Sequence, residues 1–373
     1  MLNGVDIPFY NPEVQKLPYV QNWNFGIQYE LPWDTRVEAN YVGNKGTRLN
    51  DVKYANFLNQ VDPRHLSLGN ALVEDISLHP QIPKPYPTFT GTVAQALRPF
   101  PQYQGVTTHR TNNGYSTYHS MQLTFTKRSN SGLSFLTSYT FSKSLATTDT
   151  AGPGDYTYNA QNIYNIASDY SVTAFHSPHD LKVTWIYEFP FGKQGKWMRS
   201  GIGSYILGGW SASMIHRYQT GAPISVNTSN YDALSLFNRN LRPDVILPPE
   251  QQTVGGSFSD IDVIRGTSYL NPAAFKTPEL TSKRVPTHMG TAPRFLPNTR
   301  GFSRYGEDFS FIKKTDLGFR EGAFFEIRID ALNVFNRIGL GGPITDVGNA
   351  NFGRVFSKAG TPRTMQIGGR IMF

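Results

Sequence analysis

The sequence alternates apolar and polar residues with a period of two over many separate segments. Between Trp23 and Leu31 every second residue is aromatic or aliphatic, and the residues between them are Asn24, Gly26, Gln28 and Glu30. Successive side chains of a β-strand point to opposite faces, so this spacing predicts a strand with one apolar and one polar face. After a turn at Pro32 to Asp34 the pattern resumes, with Val37, Ala39 and Tyr41 on the apolar side. The two segments together predict a β-hairpin.

The same pattern recurs to the end of the chain. Its further apolar rows are Met121, Leu123 and Phe125; Leu133, Phe135, Tyr139 and Phe141; Leu181, Val183, Trp185, Tyr187 and Phe189; Trp210, Ala212, Met214 and Tyr218; Phe309 and Phe311; Ala323, Phe325, Ile327, Ile329 and Ala331; and Met365, Ile367, Ile371 and Phe373. We therefore predict an all-β fold with about nine antiparallel strands, each near the roughly 9 to 11 residues of a tilted membrane strand.

The connections between these segments alternate in length. They are short or fairly short at 31–34, 128–132, 190–208 and 317–322, and long at 45–116, 143–178, 220–306 and 335–362. Structureless connections beyond about 12 to 15 residues are uncommon in compact soluble domains. Outer-membrane barrels, in contrast, join their strands by short periplasmic turns and longer extracellular loops. The sequence thus predicts an antiparallel transmembrane β-barrel in the bacterial outer membrane, with the four long connections outside.

Composition excludes several other classes of protein. The mean hydropathy is -0.39, and no apolar run approaches the roughly 18 residues that a membrane-spanning helix needs. A barrel strand faces lipid on one side only, so half of its residues can be polar. The net charge of +8 comes from dispersed Lys and Arg, which indicates mainly a solvated surface rather than a nucleic-acid partner. Basic loops near lipid headgroups or lipopolysaccharide are the functional alternative. The absence of Cys excludes disulfides and thiolate sites.

Few residues have the spacing that catalysis or metal binding requires. His176 and His179 form the one close histidine pair, but a junction between loop and strand offers an i, i+3 pair no helical face on which to converge as metal ligands. The glycine clusters at 208–209 and 339–342 do not form a GxGxxG or P-loop motif, and the chain has no GxSxG motif. We predict no catalytic residue, no cofactor and no metal site, and therefore a protein that is not an enzyme.

Several segments, in their order along the chain, resemble the barrel portion of Oar-like TonB-dependent transporters, which are large outer-membrane proteins abundant in acidobacteria. They are PYVQNWNFGIQYELP at 18–32, YVGNKGTRL at 41–49, YHSMQLTFTKR at 118–128, SYTFSKSL at 138–145, YEFPFG at 187–192, NPAAF at 271–275 and FFEIRIDALNVFNR at 324–337. The resemblance implies import of a bulky nutrient across the outer membrane, with energy passed through the TonB complex. It also implies a complete barrel of about 22 strands around a plugged lumen.

The resemblance sets further expectations for the two ends of the chain. A complete member would carry a signal peptide, a TonB box and a plug domain before the barrel. Residues 1–10 lack the basic and apolar regions of a signal peptide. We therefore expect residues 1–373 to be the C-terminal part of such a barrel, from a gene fragment, an incomplete reading frame or a truncated copy. The protein would meet TonB through its missing N-terminal part. The ending RTMQIGGRIMF resembles the terminal outer-membrane signal, which implies that Ile367, Ile371 and Phe373 are recognised by the barrel-assembly machinery.

Two alternative functions remain open, and so do two choices of role for individual residues. The barrel could display its long loops as an adhesion or binding protein, and the alternation could also belong to a secreted soluble β-protein that binds carbohydrate through its aromatic residues. Trp23 and Trp185 suit an aromatic girdle at the membrane interface, or ordinary packing on a soluble sheet. Polar residues expected inside the barrel could contact a substrate, or could bond a plug or one another, and we favour the structural role for this set: Glu38, Gln122, Glu188, Glu326, Arg328 and Asp330.

Overall fold

A single sheet of nine long strands dominates the fold. The computed structural model describes residues 5–9, 17–49, 58–108, 112, 114–128, 132–149, 160–193, 195–229, 241–255, 262, 264–320 and 322–373. The long strands are β1 (Tyr19–Leu31), β2 (Thr35–Leu49), β3 (Gly114–Lys127), β4 (Leu133–Ala146), β5 (His179–Glu188), β6 (Trp210–Gln219), β7 (Arg304–Asp316), β8 (Phe324–Leu332) and β9 (Thr364–Met372).

Each long strand pairs antiparallel with its neighbours in chain order, from β1 at one edge to β9 at the other. The prediction of about nine antiparallel strands is confirmed. The lengths run from 9 residues in β9 to 15 in β2, so several strands are longer than expected. In the described part of the chain, β1 and β9 are the two edges of the sheet, and each pairs along one side only.

The register of the strands collects the predicted apolar rows on one side of the sheet, here called the apolar face. Phe25 lies opposite Tyr41, and Ile329 lies opposite Ile367. The other side, here called the polar face, carries mainly amide, hydroxyl and charged side chains; among them are Gln28, Glu38, Asn40, Gln122, Thr124, Thr140, Ser213, Ser310, Asp330 and Gln366. Strict alternation has therefore produced two faces of opposite polarity, as expected from the period of two.

The strands are staggered along the sheet. One continuous row of paired residues begins at Leu31, the last residue of β1, and ends at Met365, the second residue of β9. A row at right angles to the strands therefore crosses from one end of the sheet to the other. This displacement is what tilted strands show when a sheet curves into a barrel with a fixed shear.

The two ends of the sheet differ in the size of their connections. At one end, here called the turn end, lie the connections at 32–34, 128–132, 189–209 and 317–323. The connection at 189–209 contains the helix α2 (Ile202–Leu207). At the other end, here called the loop end, lie four outer loops at 50–113, 147–178, 220–303 and 333–363. The predicted alternation of short and long connections is confirmed.

The described parts of the outer loops contain several short helices and strands. Their helical segments are Pro63–Val73, Ile76–Leu78, α1 (Val93–Ala96), Ile166–Asp169, Pro249–Gln251 and Pro272–Ala274. Their short strands pair as Val5–Phe9 with Tyr103–Thr108, Asp244–Val245 with Phe275–Lys276, Thr267–Ser268 with Arg354–Val355, and Gly339–Leu340 with Lys358–Ala359, while Ser171–Val172 pairs with β4. In the described part of the chain, no helix is long and apolar enough to cross a bilayer.

Two larger apolar clusters hold the described parts of the outer loops together. The first has Leu72, Phe89 and Val285 at its centre, and the second contains Leu270, Phe275 and Phe352. Burying such side chains stabilises a fold by roughly 1.5 to 3 kcal/mol each. The long connections are ordered in these parts, because their sparse apolar residues meet across different loops.

Candidate functional site at the loop end

The first and third outer loops are joined by packing and by polar contacts. Val285 of the third loop is fully buried in the cluster formed by the first. Beside it, the Lys283 ammonium donates to the Glu74 carboxylate at 2.9 Å, and the Asn70 amide donates to the Ser282 hydroxyl at 2.7 Å. The two loops therefore form one folded unit.

The second outer loop is tied into the same unit by buried polar groups. The Gln161 side chain donates to Gly290 O at 3.0 Å and accepts from Arg242 N–H at 2.6 Å, while the Gln60 amide donates to Gln161 O at 2.9 Å. The Arg242 guanidinium also lies 2.8 Å from the Asp169 carboxylate, and both side chains are almost completely buried. Breaking a buried ion pair typically costs about 3 to 5 kcal/mol, so this contact fixes the relative position of the two loops.

The fourth outer loop completes the unit. Phe352 packs into the second apolar cluster, the Ser229 backbone N–H donates to the Asp346 carboxylate at 3.1 Å, and Thr267–Ser268 pairs with Arg354–Val355. We call these four connected loops the loop assembly. An ordered surface of this kind, held on a rigid sheet, is where binding residues are usually found.

The predicted histidine pair does not converge. His176 is buried in the second loop, and its carbonyl accepts from the Arg300 guanidinium at 2.9 Å. Burial lowers the pKa of His176 from 6.5 to about 4, and the positive charges of Arg300 and Lys143 add to the effect. The His179 ring instead bonds the Tyr139 hydroxyl at 2.7 Å. Among the described residues no group of three or more His, Asp or Glu could hold a metal ion; the prediction that the protein is not an enzyme stays a prediction.

Most of the polar residues expected inside the barrel bond neighbouring polar residues along the polar face. The Arg36 guanidinium lies 2.9 Å from Glu38, Arg328 lies 2.8 Å from Asp330, and Arg370 lies 3.2 Å from Glu326. A weaker contact of 3.5 Å joins the Gln122 amide to the Ser120 hydroxyl. These pairs agree with the structural role that we favoured for the set.

The polar face also carries an exposed apolar patch that the sequence analysis did not single out. It consists of Leu136, Ile186 and Ile215, which are 47%, 46% and 54% exposed. Leu136 and Ile215 lie opposite Thr184 on the two neighbours of β5, and Ile186 follows Thr184 by two residues. We call these three side chains the inner patch.

Two charged residues on the apolar face were also missed. Glu307 is fully buried, and its carboxylate accepts from Arg337 Nε at 2.9 Å. Lys313 Nζ donates to Tyr205 O at 2.6 Å and also to Gly208 O. Each charge interrupts an apolar row of the sequence. Sequence analysis could have found the two residues by this interruption. In both cases a neighbouring segment folds over the apolar face to bond the charged group.

The predicted assembly residues lie at the exposed edge of the sheet. Ile367 pairs with Ile329 and Ile371 pairs with Phe325, both on the apolar face. Phe373 follows the last residue of β9 and is 84% exposed. Recognition of these residues by the assembly machinery stays a prediction.

Comparison with known proteins gives one family. A family model described as an outer membrane beta barrel domain matches residues 2–366. No curated protein matches the sequence. Among solved structures, the outer membrane transporter YddB from Escherichia coli is similar over 99% of this chain, with 10% identity and a TM-score of 0.46. The match covers 34% of that chain, so this chain spans about a third of its length.

Proposed function

We propose that this chain, which belongs to the outer membrane beta barrel domain family, forms part of a TonB-dependent transporter that imports a bulky nutrient. Members of the family lie in the bacterial outer membrane, where the apolar face meets lipid and the polar face lines the lumen. This location argues against the secreted soluble alternative. The loop end is then extracellular, so the loop assembly is the part of the protein that a nutrient meets first.

The inner patch is the observation that carries the proposal of a plugged transporter. A lumen filled with water would expose Leu136, Ile186 and Ile215 to solvent on three adjacent strands, and clustered exposed apolar side chains usually mark a contact surface. A folded domain inside the barrel would cover them. The resemblance to Oar-like transporters supports the same reading, because it implies a plug that TonB acts upon.

Uptake measured with and without energy coupling tests this proposal. The protein should be expressed in its complete natural chain, and growth on candidate bulky nutrients compared in strains with and without the gene. We expect uptake that depends on the gene and is abolished by deletion of tonB or by a protonophore. Uptake that persists without TonB would contradict the proposal and indicate passive diffusion through an open pore.

Display of the loop assembly for adhesion is the second candidate. It is favoured by the two apolar clusters, which give the loops a folded surface of their own. In that case surface binding of a ligand would be unaffected by deletion of tonB and would not be followed by uptake. The same pair of strains therefore separates the two functions.

A further inference from the structure

The connection at 189–209, here called the turn-end linker, differs from the other three connections at its end of the sheet. It exposes a group of large apolar side chains, each between 42% and 79% exposed; they are Trp197, Met198, Ile202, Tyr205, Ile206 and Leu207. A contiguous patch of this kind on a short connection marks a surface that contacts something other than water.

Helix α2 lies on the apolar face of the sheet. Lys313 lies between Trp210 and Ile327 in the register of that face, and its ammonium donates to the Tyr205 and Gly208 carbonyls at the C-terminal end of α2. The indole of Trp210 also donates to Ile206 O at 2.9 Å. The helix is therefore held against the side of the sheet that faces lipid, and the exposed apolar side chains of the linker continue that surface.

The linker holds its shape through close backbone contact at its two ends. A Cβ atom on Gly192 would overlap the backbone of Gly208, and one on Gly208 would overlap Gly192. Phe191 and Trp197 also pair as a bridge, with their ring centroids 5.6 Å apart. The helix has only six residues. Because it is attached to the sheet, it does not depend on its own affinity to stay at a surface.

The charge of the linker has one sign. Lys193, Lys196 and Arg199 are exposed, and the linker contains no Asp or Glu. Lys193 lies over the ring of Tyr205, with its Nζ atom 4.7 Å from the ring centroid. Basic residues beside exposed Trp, Ile and Leu are the composition of segments that lie in the interface of a membrane with anionic lipid.

We propose that the turn-end linker is an in-plane membrane anchor in the periplasmic leaflet of the outer membrane. The side chains of α2 and the neighbouring Trp197 and Met198 insert between the lipid chains, and the three basic residues bind the headgroups of anionic phospholipids. Lys313, which would otherwise place an unpaired charge against lipid, bonds the carbonyls of α2 and joins the anchor to β7. This inference rests on membership of the outer-membrane family and does not depend on transport.

Nitroxide labels at single cysteines test the proposal. Residues 1–373 contain no Cys, and any Cys elsewhere in the complete protein would be replaced by Ser. Ile206→Cys is the test variant, and Ile246→Cys in the third outer loop is a matched control with a similar exposed fraction, 55% against 61%. The complete natural protein would be purified and reconstituted in vesicles of phosphatidylethanolamine and phosphatidylglycerol. Collision with oxygen, which concentrates in lipid, and with a water-soluble nickel chelate, would be measured for each label.

We expect the label at position 206 to report a depth of about 5 to 10 Å below the headgroups, and the label at position 246 to collide freely with the nickel chelate. Replacing Lys193, Lys196 and Arg199 by Gln should shift the label at 206 outward, as should vesicles of phosphatidylcholine alone. Equal nickel accessibility at 206 and 246 would overturn the proposal. Protection of position 206 in native outer membranes, but not in vesicles of the purified protein, would also overturn it and indicate a periplasmic protein partner.

Discussion

A charge placed in the apolar face of β8 should destabilise the protein strongly. Ile327 lies near the middle of the strand, opposite Gly369 on one side and Lys313 on the other. An arginine on the lipid side of a barrel costs about 2 to 4 kcal/mol near the bilayer midplane and about 0 to 1 kcal/mol near the interfaces. Ile327 lies three residues from the turn end of β8, so the cost of Ile327→Arg should lie between these values. Lys313 directly opposite should add to it, because like charges opposite each other are unfavourable.

Arg328→Lys is the matched control on the polar face, one residue away. Arg328 pairs with Asp330 at 2.8 Å and is half exposed, and an exposed ion pair of this kind contributes at most about 1 kcal/mol. The free energy of unfolding of both variants should be measured by denaturant titration in lipid vesicles, with Trp fluorescence as the signal. Equal destabilisation by the two substitutions would refute the assignment of the two faces.

Three further predictions concern the loop assembly and the last strand. Arg242→Met should remove the buried ion pair with Asp169 and lower the stability of the loop assembly by about 3 to 5 kcal/mol. Proteolysis of the loops should become faster while the electrophoretic migration of the barrel stays unchanged; unchanged proteolysis would contradict the role of the pair. The low pKa of His176 means that the folded loop resists protonation, so stability present above pH 6.5 should be lost as the pH falls toward 4. Hydrogen exchange of the backbone amides at 173–178 should become faster as this stability is lost. If His176→Asn shows the same pH profile, His176 is not the cause. Deletion of Phe373 should lower outer-membrane insertion in the complete protein, whereas deletion of the exposed Gly255 should not; the reverse result would refute the assembly role.

The strands were predictable because the alternation of apolar and polar residues within each strand shows which side chains face which side of the sheet. Residues 23–31 and 325–331 alternate strictly. The same alternation fixes the register with the neighbouring strands, since a slip of one residue would exchange the two faces. The sequence did not mark where β2 ends, because Asn44, Lys45 and Thr47 resemble loop residues although they continue the pairing with β1 and β3.

The loop assembly was not predictable from local patterns. Leu72 and Val285 meet in one cluster although they are far apart in the chain, and neither stands in a periodic segment. Helix α2 could have been found, because Ile202, Tyr205 and Ile206 have the i, i+3, i+4 spacing of one helical face. The low apolar content of the surrounding glycine-rich segment concealed it.

Cysteine accessibility along β8 tests the central claim most directly. Single cysteines at positions 325 to 330 of the complete protein, assembled in the outer membrane, would be treated with a water-soluble maleimide, and the same positions would be labelled with a fluorophore in vesicles containing brominated lipid. The two faces predict a period of two, with slow modification and strong quenching at 325, 327 and 329, and the opposite at 326, 328 and 330. Uniform modification along the strand, or alternation in the opposite phase, would contradict a barrel wall between lipid and lumen.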